Sequence, residues 1–202
     1  MKPVVLVWIP RAVDNIALVQ STGAAGPLIL NGPNVDFSPN ARFITLTSAN
    51  NNAAVNFTVT GNNLYGVQVS EVIAGPNANT VSGAVEFTTV ISVVANAAVN
   101  QVSIGLSQEG IAGTYLYDYH APNSDLGVQV IVGGVINYDL SYSFNDVPNI
   151  YDVAYHPVAG MTGATTNQWA NVIQPTRYVY IFVNASNIGA TLVATLIQQG
   201  LR

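Results

Sequence analysis

Short segments in which apolar and polar residues alternate with period two run through most of this chain, and that period constrains its fold more than any other feature. Residues 43–47, 55–60, 67–72, 86–93 and 102–106 are rich in β-branched and aromatic side chains, and most of them alternate. In an extended strand successive side chains point to opposite faces, so alternation of this kind makes a sheet with one buried and one wetted face. Between the segments lie turn-forming clusters: residues 48–52, Gly61-Asn62-Asn63, Gly75-Pro76-Asn77 and Asn96-Ala97-Ala98. The second half continues with residues 128–132, 136–144, 178–183 and 190–197. Strands spaced in this way predict an all-β fold, an antiparallel sandwich or barrel, and of these a jelly-roll-like β-sandwich is expected. Residues 145–169, with Pro148, Pro157, Gly160 and Gly163, read as a long ordered connection, and residues 12–34 as a weakly patterned stretch.

Two echoes within the sequence predict two related β units. Ala41-Arg42-Phe43-Ile44-Thr45-Leu46 resembles Thr176-Arg177-Tyr178-Val179-Tyr180-Ile181, and each is followed by an Asn/Ala/Ser turn and a second alternating strand. Gly66-Val67-Gln68-Val69 matches Gly127-Val128-Gln129-Val130. Duplication and convergent β patterning both produce such strings. The expected division is an N-terminal arm of residues 1–36, a first unit of residues 37–112 and a second of residues 113–202, with Gly110 and Gly113 punctuating the junction. Within the arm, Val4-Val5-Leu6-Val7-Trp8-Ile9 is a continuous apolar run between Pro3 and Pro10, the pattern of a strand covered on both faces. Pro10, Arg11 and Asp14 interrupt it too early for a signal peptide. The run predicts a strand docked on a sheet edge, either of its own chain or of a neighbouring subunit.

Polarity comes from Asn, Thr, Ser and Gln. Only 7% of residues are Asp, Glu, Lys or Arg, against about 25% in an average soluble protein. A neutral polar β surface suits a body that packs against copies of itself or a lattice, where charges would need costly desolvation. A soluble β domain with few ionic groups has the same composition. The net charge is −5, and Lys2, Arg11, Arg42, Arg177 and Arg202 form no basic stripe, which argues against direct nucleic-acid binding. The chain has no cysteine, which excludes disulfides, thiolate metal sites and cysteine nucleophiles. No apolar run approaches the ~18–20 residues of a membrane-spanning helix, so no membrane partner is expected.

Residues able to do chemistry are sparse. His120 and His156 each lie among tyrosines and aspartates, but no serine sits in a Gly-x-Ser-x-Gly elbow, so the histidines read as structural. Asp139, Asp146 and Asp152 match no calcium-loop motif and read as loop residues that accept backbone hydrogen bonds. No catalytic, cofactor or metal site is therefore assigned. Tyr115, Tyr117 and Tyr119 alternate, which puts their rings on one face of a strand, and Tyr138 and Tyr142 follow in the same half. A tyrosine offers a rigid apolar body with a polar tip, suited to a subunit interface, a sugar-stacking site or a sandwich core. Together with Val5, Val7 and Trp8 these five tyrosines form the candidate interface.

The run from Arg42-Phe43-Ile44-Thr45-Leu46-Thr47 through Val55-Asn56-Phe57-Thr58-Val59-Thr60-Gly61 to Val102-Ser103-Ile104-Gly105-Leu106 resembles the β-rich virion proteins of tailed bacteriophages. The resemblance extends to Gly26-Pro27-Leu28-Ile29-Leu30-Asn31-Gly32 and, downstream, to residues 137–146 and 194–200. It rests on patterned β sequence, not on a chemical signature, and carries over no catalytic residue. What it implies is a non-enzymatic decoration (cement) protein on the exterior of an icosahedral capsid, or else a neck or tail component. The partners expected on that basis are copies of itself, as a homotrimer, and the major capsid protein or neighbouring virion proteins. A glycan- or receptor-binding virion module is the reading from another class.

Overall fold

The computed structural model describes residues 3–117, 125–145, 154–173 and 176–198. Every regular element among them is a β-strand, so the fold is all-β, as the alternation predicts. The strands in chain order begin with β1 (Val4–Val7), β2 (Ala17–Thr22), β3 (Gly26–Pro27), β4 (Val35–Asp36), β5 (Ala41–Thr47) and β6 (Asn56–Asn62). They continue with β7 (Gln68–Ala74), β8 (Thr80–Phe87), β9 (Thr89–Ala95), β10 (Val99–Leu116) and β11 (Leu126–Gly133). The last are β12 (Ile136–Ser143), β13 (His156–Pro157), β14 (Gln168–Val172), β15 (Tyr178–Ser186) and β16 (Thr191–Gln198).

The chain forms two compact units, one of Arg11–Gly110 and one of Met1–Pro10 with Ile111–Arg202. The junction at Gly110 lies beside the one expected from the glycines, but residues 1–36 do not form a separate arm. β1 pairs along its whole length with β16, which places the first ten residues in the C-terminal unit. β2 pairs with β10, and β3 and β4 pair with β9, which builds residues 17–36 into the other unit.

In the Arg11–Gly110 unit one sheet has the order β3-β9-β6-β7, with β4 also on β9, and the other has β10-β5-β8, with β2 also on β10. Burial follows the alternation. Along β6, Phe57, Val59 and Gly61 are buried while Asn56, Thr58 and Thr60 are not. The expected single strand over residues 86–93 is two strands in different sheets, β8 and β9, broken at Thr88. Sequence shows only a continuous β-type run there. The buried Thr88 hydroxyl bonds the carbonyls of Asn62 and Asn63 (3.1 and 3.0 Å) and holds the chain where it changes sheet.

The terminal strands β7 and β8 are tied by one carboxylate. β8 is irregular opposite Ile44, and the N–H groups of Ala84 and Val85 there donate to the two oxygens of Glu71 on β7. Gly83 leaves the space: a Cβ on it would collide with the Glu71 carboxylate. Hydrogen bonds to a charged group contribute more than neutral ones. Replacing Glu71 by Ala is expected to lower the unfolding free energy by about 2–3 kcal/mol in denaturant titrations, and Glu71→Gln by less.

In the other unit a four-stranded sheet, β1-β16-β11-β14, accompanies strands in the order β13-β12-β15-β10. Leu6, Trp8, Leu126, Val128, Val130, Leu192, Ala194 and Leu196 from the first sheet meet Tyr138, Leu140, Val179, Ile181 and Val183 from the second in a single core. Trp8 is fully buried, and its backbone N–H donates to Leu192 O at 2.9 Å. The N-terminal run is thus a strand of its own chain. Only one of its faces is covered, however: Leu6 is 4% exposed, whereas Val5 and Val7 are 52% and 47% exposed. Trp8→Ala is expected to cost about 3–5 kcal/mol. Deleting residues 1–10 should unfold this unit, read as loss of β circular dichroism and of a cooperative melt.

Candidate binding face

The outward face of the four-stranded sheet follows directly from its registers. Val5, Thr195, Gln129 and Trp169 stand in one row across β1, β16, β11 and β14. Val7, Val193 and Ile131 form the row on one side of it, and Ile197, Gly127 and Asn171 the row on the other. With strands ~4.8 Å apart, the four-residue row spans roughly 14 Å. Scattered exposed aliphatics are normal on a soluble protein, whereas contiguous ones mark a contact surface. Here Val5, Val7, Ile131 and Ile197 are all 44–52% exposed, and Trp169 is 79% exposed.

The face has two zones. On the β1 and β16 side it is aliphatic, with Val5, Val7 and Val193, and β1 has no second strand partner among the described residues. On the β11 and β14 side Gly127 leaves a gap among its neighbours. An open hollow of about 220 Å³ lies there, lined by Gly127, Gln129, Trp169, Asn171, Thr195 and Ile197 together with Val128 and Ala170. β14 is held against β11 by five paired positions, and the Asn167 side chain accepts the Val132 N–H at 2.8 Å.

The candidate residues from sequence separate accordingly. Val5 and Val7 lie on the face. Trp8, Tyr117 and Tyr138 do not, because all three are fully buried in the core of their own unit. The Tyr138 hydroxyl donates to Thr166 O at 2.9 Å, and burial pushes this phenol up to about 12. Tyr115 packs on the same core and bonds Gln198 Oε1 at 3.1 Å. Tyr142 also packs on it and stacks on His156 with ring centroids 5.5 Å apart. Alternation does give Tyr115 and Tyr117 a common direction, but that direction is inward. Tyr119 lies outside the described residues. Trp169, Ile131 and Ile197 were not singled out from sequence. The alternation of Gln168-Trp169-Ala170-Asn171-Val172 was the available signal, inside the stretch read as a connection.

Comparison with protein-family models, with curated proteins and with solved structures gives no match. The site therefore has to be read from its own chemistry. Among the described residues no group of three His, Asp or Glu is placed to hold a metal ion. Asp139 accepts the Gly163 N–H, while His120, Asp146 and Asp152 lie outside the described residues.

Among the described residues the most perturbed carboxyl is in the other unit and belongs to the fold. Burial, with the Glu109 charge second, pushes Glu86 up to about 7. Between its ordinary value near 4.5 and this value the folded chain holds a proton that the unfolded chain has released. Glu86 therefore makes the fold lose stability as pH rises through that window. Glu86→Gln is expected to raise the melting temperature at pH 8 by a few degrees, on the order of 2 kcal/mol, and to change it little at pH 4. Equal effects at both pH values would show that its ionisation does not strain the fold.

Proposed function

We propose that this chain is a non-enzymatic structural subunit of a tailed-bacteriophage particle, a decoration protein that binds the exterior of the capsid as a homotrimer. The observation that carries the reading is the aliphatic zone on and beside β1, whose Val5 and Val7 side chains stand exposed on a strand with no second strand partner among the described residues. A neighbour can pack its own apolar surface there, covering Val5, Val7, Val193 and Ile131. Burial of apolar area at about 25 cal/mol per Å² drives the contact, and the repeated sites of a shell add avidity. The scarcity of charge and the resemblance to phage virion proteins point the same way.

Val5→Lys combined with Val7→Lys tests this. Both side chains are exposed in the single chain, so its stability is expected to stay within about 0.5 kcal/mol of the parent. Self-association in sedimentation and retention on purified shells should fall at least tenfold. Association of the parent should also persist in high salt, because few charges are available to screen. A parent chain that stays monomeric and does not bind shells would sink the reading. Copies confined to a single ring at the portal would move the protein to the neck.

A further inference from the structure

The hollow over Gly127 on β11 lies two strands from β1 and has a different chemistry from the aliphatic zone. We propose that it binds the ring of a neutral pyranose sugar, with Trp169 as the stacking platform and Gln129, Asn171 and Thr195 as the hydrogen-bonding groups. This site is independent of the assembly reading.

Four observations on the hollow carry the proposal. The first is the indole. Tryptophan is highly buried on average, yet Trp169 is 79% exposed on a strand whose register fixes where it stands. The negative face of an aromatic ring attracts the weakly positive C–H edge of a sugar ring. The second is the state of the amides. Elsewhere this protein uses its carboxamides as ties: Gln20 both donates to and accepts from the backbone of Ile29 at 2.9 Å, and Asn52 and Asn63 each make several such bonds. The side chains of Gln129 and Asn171 make no hydrogen bond among the described residues. A carboxamide offers an acceptor and two donors, which suits neighbouring hydroxyls that both give and take.

The third observation is neutrality. No ionisable side chain lines the hollow, so a charged ligand would find no counter-ion, while a purely apolar one would cover two amides without partners. The fourth is size. At about 220 Å³ the space falls below the roughly 300–1,000 Å³ of pockets that enclose drug-sized ligands, which matches a single ring. Gly127 provides the floor, since any side chain there would project between Ile197 and Asn171.

The chain has two tryptophans, and their exposures make the test direct. Trp8 is fully buried and Trp169 largely exposed, so a ligand-dependent change in quenching reports on Trp169. The full chain is titrated with the methyl pyranosides of glucose, galactose, mannose and N-acetylglucosamine up to roughly 100 mM, which covers dissociation constants near 1 mM. At least one is expected to shift the emission to the blue and protect it from acrylamide. Trp169→Ala should abolish the response. Gly127→Val should weaken it at least tenfold with an unchanged melt, because an added Cβ meets only Ile197 O at 3.7 Å and Asn171 Oδ1 at 3.8 Å. The double lysine variant at positions 5 and 7 should bind sugar as the parent does, which separates this site from assembly. No response to any of the four sugars overturns the proposal. So does a response that survives Trp169→Ala, or a loss of self-association in Trp169→Ala without any sugar response.

Discussion

An antiparallel sheet must do something with the backbone groups along its edges, and a chain with 7% charged residues has few side chains to block them with. Much of this structure can be understood as a set of answers to that requirement. Glu71 spends one of the ten acidic residues on tying β7 to β8, and Gly83 is bare so that the carboxylate fits. β11 is covered by the short strand β14, and β12 by the two-residue strand β13. β1 covers β16 and becomes the new edge itself. That strand turns its valines outward with no second strand beside it among the described residues, a combination that invites another chain.

The same strand shows why covering an edge and filling a core are one event here. Leu6 and Trp8 enter the core of the C-terminal unit from the far end of the sequence, while Val5 and Val7, one residue out of phase, go to the surface. A one-residue slip of β1 against β16 would exchange the two sets. Burying Trp8 therefore fixes the register and, with it, what the outer face presents.

Most strands were legible in the sequence because alternation and turn residues are local signals. Residues 43–47, 55–60, 67–72 and 128–132 fall within or largely within observed strands for that reason. What failed was information that only a partner strand supplies. Nothing local marks Thr88 as the point where one β-type run leaves a sheet for another. The Tyr115 and Tyr117 pair shares a face, but whether that face is core or surface depends on the sheet opposite. The continuous run at Val4 to Ile9 hid which of its faces would be covered, because apolar residues occupy both. The candidate face suffered most: its indole lies in a stretch whose prolines and glycines outweighed five alternating residues.

Strand adjacency shows which part of that face is an addition. In the Arg11–Gly110 unit β6 lies between β7 and β9, and β5 between β8 and β10. In the other unit β16 lies between β11 and β1, and β15 between β12 and β10. The echoed strings fall on corresponding strands, β5 with β15, and the start of β7 with β11. On that correspondence β1 takes the place of β9, although the strands follow one another along the chain in a different order. Among the described residues β14 then has no counterpart, because no further strand lies on β7, which is tied by Glu71 instead. A tie of one carboxylate would have served β11 as well. The C-terminal unit instead carries five extra residues that raise an indole and a carboxamide beside a glycine, more than closing an edge requires. That excess is the reason to look for a ligand at β14 and for a subunit at β1.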